Sequence, residues 1–203
     1  RLDPYYQHVA RHHAELEPAF AELIALQSAH RQAVVHGDFS PKNLLVTNES
    51  LTLLDFEVGH WGDPAFDIGF FFTHLVLKWL WSGRQADYWQ NLTVAWEAYA
   101  TTMATAITDA EWLAVRRRGR QCLGGCLLAR VAGKSKVEYL SPVVQEETWQ
   151  LGCVLLGDSG SEALPQRVLA EKVVQIAGPC PKGLATQKLS QKEIRQKALG
   201  AGP

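Results

Sequence analysis

Three oxygen-bearing side chains stand out for their spacing within VVHGDFSPKNLLVTNESLTLLDFE: Asp38, Asn43 five residues later, and Asp55. Asp38 and Asn43 share one polar stretch, and Asp55 closes the second of the two apolar runs that bracket NES. A carboxylate and a carboxamide are hard oxygen donors, suited to a divalent cation such as magnesium. A further carboxylate beside them could orient or deprotonate a hydroxyl, and that set is what phosphoryl transfer from a nucleotide asks of a protein. A loop that only turns needs none of this placement, so plain loop polarity is the competing explanation. On the chemical reading Asp38 is the base, and Asn43 and Asp55 hold the metal.

The elements that must position these residues are legible on either side. After Asp3-Pro4, a helix start, Val9, His13, Leu16, Phe20, Leu23 and Leu26 recur at steps of three or four, which predicts one amphipathic helix ending near Ala29. The period then changes. AVVHG is a short apolar run ending in Gly, and NLLVT and LTLLDF flank NES as a β-hairpin, with FSPK leading into it. Folded so, the segment can bring the three oxygen-bearing side chains together. Asp63-Pro64 starts a second helix, nearly all apolar, to about Trp81. Helices follow at roughly 84–106, 109–132, 143–156 and 162–177. The fold class expected is mainly α with a small β-hairpin: a helical lobe over 1–177 holding a catalytic loop and metal-binding hairpin at 34–57, then a polar, mobile tail at 178–203.

Composition narrows the partners. The chain has 203 residues, 47% of them hydrophobic, with 20 Lys and Arg against 21 Asp and Glu, so nothing favours nucleic acid or an anionic membrane surface. The run FDIGFFFTHLVLKWLW is interrupted by Asp67, His74 and Lys78, which predicts a buried helix and not a membrane span. Cysteines 122, 126, 153 and 180 form no CxxC pair and no zinc-type spacing, and they read as free thiols in a reducing cytoplasm. Tryptophans 79, 81, 89, 96 and 112 could make a cage for a quaternary ammonium, but their helical spacing reads as core.

HGDFSPKN followed by LLDFE resembles the H-G-D-x-x-x-x-N and D-F-[DE] pair of the aminoglycoside phosphotransferase and choline kinase superfamily, relatives of the protein kinases, and GDPAFDIG adds a third motif in the same order. The resemblance is strong from Val34 to Thr73 and extends from Leu2 to about Leu140. It implies the C-terminal lobe of a protein-kinase-like fold and transfer of the γ-phosphoryl of ATP or GTP to a small-molecule hydroxyl, with Mg2+ as cofactor. By matching position, Asp38 would take or orient the hydroxyl proton, while Asn43 and Asp55 would hold magnesium. His36 would fix the loop through hydrogen bonds. Asp67 would support the loop backbone, or serve only as a partner to the helix start. Glu57 would reach a metal-bound water or the substrate, or remain a solvated carboxylate.

No G-x-G-x-x-G and no strand-borne Lys precede Asp38. The chain is therefore expected to be a C-terminal lobe with the N-terminal lobe absent, from a longer kinase or a truncated product. On the acceptor side, Arg130 lies within apolar LLARVA and Lys134 follows it; a pocket using either would suit a carboxylate or phosphate. The alternative pairs Arg130 with a core carboxylate and leaves Arg116–Arg118 as a solvated face. A competing function for the whole chain is a non-catalytic helical binding module derived from a truncated kinase lobe.

Overall fold

The computed structural model describes residues 3–157. The expected helix at 162–177, the tail at 178–203 and Cys180 lie outside the described residues. A wide helical turn at Asp3–Gln7 runs into α1 (His8–His12), and after a short turn at Ala14–Leu16 comes α2 (Glu17–Ala29). The single helix read from the periodicity is thus two. His13, at φ −136° and ψ 79°, breaks it, and Pro18 opens α2. A proline ring clashes with the carbonyl four residues back and lacks the N–H a helix interior requires, so the first turn of a new helix is where it fits.

Strands β1 (Ala33–Val35), β2 (Leu44–Val46), β3 (Leu51–Leu53) and β4 (His60–Gly62) form two antiparallel pairs, where one hairpin was expected. The hairpin β2–β3 pairs Leu44 with Leu53 and Val46 with Leu51. The added pair joins β1 to β4, Ala33 to Gly62 and Val35 to His60. HWG has no strand-like alternation, so only its distant partner makes it a strand.

Three long helices make the body: α3 (Pro64–Trp81), α4 (Ala86–Ala106) and α5 (Asp109–Ala132), followed by α6 (Pro142–Leu156). Each start has a local cause. Asp63 accepts the Ala65 N–H at 3.0 Å ahead of Pro64. Thr108 and Glu111 bond each other's backbone N–H groups in a reciprocal cap. Ser141 caps α6 ahead of Pro142. The helix expected from 84 starts at Ala86, because Gly83 and Arg84 both take positive φ, 71° and 67°, and an ion pair from Arg84 to Glu147 at 2.6 Å holds that turn.

Helix α5 is the hub, with α3 and α6 packed along it and α1, α2 and α4 touching it. Phe70, Leu77 and Leu80 of α3 and Leu127 and Leu128 of α5 are at most 1% exposed, each contributing roughly 1.5–3 kcal/mol of burial. Trp79 and Trp112 are buried and Trp96 stacks on Trp112, while Trp81 is 48% exposed beneath Lys78. Cys122 and Cys126 are buried free thiols, and burial pushes the Cys122 thiol well up. Among the described residues no helix is long and apolar enough to cross a membrane.

Candidate active site

The segment from β1 to the first turn of α3 is closed by one carboxylate. Asp67 accepts the backbone N–H of His36 at 2.6 Å through Oδ2 and that of Gly37 at 2.9 Å through Oδ1. Burial raises the Asp67 carboxyl above its ordinary range, and those same hydrogen bonds pull it part of the way back. Gly37 sits at φ +76°, where a Cβ would stand 2.8 Å from the Val58 carbonyl oxygen. Only glycine fits that bend.

His36 ties the loop to the hairpin. The Asp38 N–H can only donate, so Nδ1 accepts it at 3.2 Å; the Leu54 carbonyl can only accept, so Nε2 carries the hydrogen that reaches it at 2.8 Å. The ring is fixed as one neutral tautomer, and it packs 4.8 Å from the Phe56 ring.

Asp38 is buried, with its Oδ2 2.9 Å from Lys42 Nζ. Extended Ser40 leads into a tight turn, Pro41–Asn43, which swings Asn43 back beneath Asp38. The Asn43 NH2 donates to the Asp38 carbonyl at 2.9 Å and to Oδ2 at 3.3 Å. Its backbone carbonyl accepts the Leu54 N–H at 2.9 Å, one step beyond the Leu44–Leu53 pair, so Asp55 emerges next to Asn43. Asp55 takes φ 65°, a left-handed conformation that costs a non-glycine residue about 1 kcal/mol, and its side chain is exposed. Glu57 is exposed two residues further on.

These donors fit magnesium. With its NH2 turned onto Asp38, Asn43 presents Oδ1 as a hard ligand, and the Asp55 carboxylate is a second. Among the described residues no cluster of three or more His, Cys, Asp or Glu gathers. A pair of protein oxygens is the usual share for magnesium that is also held by substrate phosphates.

Several functional-looking residues fall where the sequence did not put them. The Arg116–Arg118 stretch, expected as a solvated face, buries two of its three arginines. Arg118 grips Asp63 with both Nε (2.7 Å) and Nη2 (3.1 Å), and Arg116 lies 5.9 Å over the Trp112 ring. A buried cation forks onto a carboxylate because neither can be left unpaired there. Their separation of 55 residues hid the pair; the only clue was an acid already needed as a helix cap. Among the described residues Arg130 finds no core carboxylate, contrary to the pairing expected for it. It donates to the Ser135 carbonyl at 3.0 Å and approaches His74 Nε2 at 3.4 Å. His74, passed over in the sequence, is held down to about 4 by burial and then by the Arg130 guanidinium. Lys134 is exposed and lies near His8, whose pKa is lowered by desolvation first, then by His12, with Lys134 adding to the effect. The Lys42–Asp38 contact, also unforeseen, was signalled by spacing alone, four residues apart on one turn.

Residues 2–102 match the model of the phosphotransferase enzyme family. Methylthioribose kinase 2 of Oryza sativa subsp. japonica is 34% identical over 77 residues, covering 38% of this chain and 18% of the relative. Methylthioribose kinase of Klebsiella pneumoniae is 37% identical over 68 residues, covering 34% of this chain and 17% of the relative. The chain thus spans less than a fifth of these relatives' length in the match.

Proposed function

Because residues 2–102 of this chain match the model of the phosphotransferase enzyme family, we propose that it moves the γ-phosphoryl group of ATP or GTP to a hydroxyl of a small molecule. Both relatives are, by name, kinases of a small molecule. The observation that supports the reading is the closure of the Asp38 loop onto the end of β3 through Asn43 and His36, next to which Asp55 follows in the chain.

In this role Asp38 accepts or orients the proton of the attacking hydroxyl. Both His36 nitrogens are committed to hydrogen bonds, so His36 has no lone pair left to take that proton. Lys42, already on Asp38, supplies a positive charge beside the carboxylate. Asn43 Oδ1 and the Asp55 carboxylate would hold Mg2+, which when bound neutralises charge on the nucleotide phosphates. Asp67 and His36 act by positioning, holding the loop at the distance the reaction needs. Glu57 is the next acid available to the substrate. The free thiols suit a reducing, cytoplasmic setting.

The experiment is nucleotide titration with and without magnesium, followed by phosphoryl transfer to a panel of hydroxyl compounds. Asp38→Ala is expected to lower turnover by about 10²–10⁴, roughly 3–5 kcal/mol of barrier. Turnover within about twofold of wild type would remove Asp38 from the mechanism. Asp55→Ala is expected to abolish the magnesium-dependent part of nucleotide binding, and an unchanged titration would count against its role.

A further inference from the structure

Arg130 stands in the last turn of α5, half-buried, with a charge that no carboxylate of the described residues neutralises. Its Nη1 donates to the Ser135 carbonyl, its Nη2 faces His74, and the guanidinium lies 5.7 Å over the Tyr5 ring. The Nε–H is buried and has no hydrogen-bond partner. The dipole of α5 favours a cation at this end, yet it acts along the axis and leaves the fork of N–H donors incompletely used. His74 offers no counter-charge, because burial and Arg130 itself keep it neutral. A partly buried guanidinium in this state is complete only when an anion reaches it.

A chain of contacts along α3 links Arg130 to the Asp38 loop. Phe39, next to Asp38, stacks on Phe71 of α3 at 4.9 Å, and His74 follows three residues along the same helix. Beyond burial, Arg130, Asp38, Lys42 and Lys78 all lie close enough to act on His74, three of them cations and one an acid. That acid is already paired with Lys42 at 2.9 Å. Lys78 is held over the rings of Trp81 (4.9 Å) and Tyr139 (4.3 Å). Ring faces steady an ammonium without cancelling its charge.

We propose that the Arg130–His74 pair is the recognition site for the acceptor, and that the acceptor carries a carboxylate or phosphate group beside its reacting hydroxyl. The proposal rests on the phosphoryl-transfer reading of Asp38. Arg130 offers planar, two-pronged donation to an oxyanion, and neutral His74 adds orientation without competing for the charge. A polycationic acceptor meets the wrong sign here.

The test is calorimetric titration of the full chain with matched compounds: glycerate against glycerol, ribose 5-phosphate against ribose, and glucosamine as a cation. An anionic member is expected to bind at least about tenfold tighter than its neutral partner, the worth of about one charge-assisted hydrogen bond. Arg130→Gln should bring the pair level, and Arg130→Lys should retain part of the preference; if the Gln variant shows no cooperative melt, the Lys variant carries the test. A preference for glycerate identifies a carboxylate and one for ribose 5-phosphate a phosphate. No anion binding, equal or tighter binding of glycerol, ribose or glucosamine, or an anion affinity unmoved by either substitution overturns the proposal. Transfer from ATP is assayed separately. If no compound is phosphorylated while the Arg130-dependent preference persists, the phosphoryl-transfer reading fails and an anion site remains. If only neutral compounds are phosphorylated, the anion site fails and the transfer reading stands.

Discussion

The segment from Ala33 to Asp67 and the stack of α3, α5 and α6 are held together by opposite means. In the first, the strands are three residues long, and Val34, Val46, Leu51 and Phe56 are each more than half exposed. What fixes it is a set of individual hydrogen bonds: Asp67 to two backbone N–H groups, His36 to Leu54, and Asn43 to Asp38. In the second, the fit is made by close approach of helices through glycines. A Cβ on Gly124 would stand 2.5 Å from the Leu156 backbone nitrogen, and one on Gly69 would stand 2.5 Å from Cys122 Cβ. Apolar packing is non-directional and tolerates sliding, whereas each hydrogen bond specifies one distance and one angle. The molecule uses the first for mass and the second where atoms must be placed.

The two regions are joined by the buried Asp63–Arg118 pair, and cutting it should show the largest effect. Arg118→Leu strands a carboxylate that is 1% exposed and is expected to cost about 3–5 kcal/mol in urea unfolding. A loss below about 1 kcal/mol would mean that the two regions do not depend on this link. Asp67→Ala cuts the loop's own bracket. It should lower turnover by about 10²-fold through misplacement of Asp38 while removing only about 1–3 kcal/mol of stability. If stability falls and the turnover of the folded fraction does not, the bracket serves the fold and not the site. Gly124→Ala probes the packing side alone. Forcing α6 off α5 should cost about 1–3 kcal/mol, partly offset by the better helix propensity of alanine. The activity of the folded fraction should be unchanged, and a drop in it would show that the helical body also sets the geometry of the loop.

What the sequence made legible follows the same division. Asp63-Pro64 and the apolar run after it place α3, and the periodicity of 109–132 gives α5, because caps and helical patterns are local. The spacing of Asp38, Asn43 and Asp55 pointed to one site for a similar reason, since all three lie on one hairpin and its lead-in. Long-range partners were not legible. β4 is a strand only because Val35 lies opposite His60, and Arg118 is buried only because Asp63 reaches it. Arg130 shows the same limit from the other side: its burial could be anticipated from LLARVA, but its neighbours could not.

Asp55 holds a left-handed backbone that glycine would adopt without penalty. Replacement by glycine at this one position therefore relaxes the chain while deleting the carboxylate on which the proposed chemistry depends. Selection for heat resistance alone would drift toward that exchange, and a laboratory lineage bred for robustness would lose its trade unless each generation were also asked to perform it.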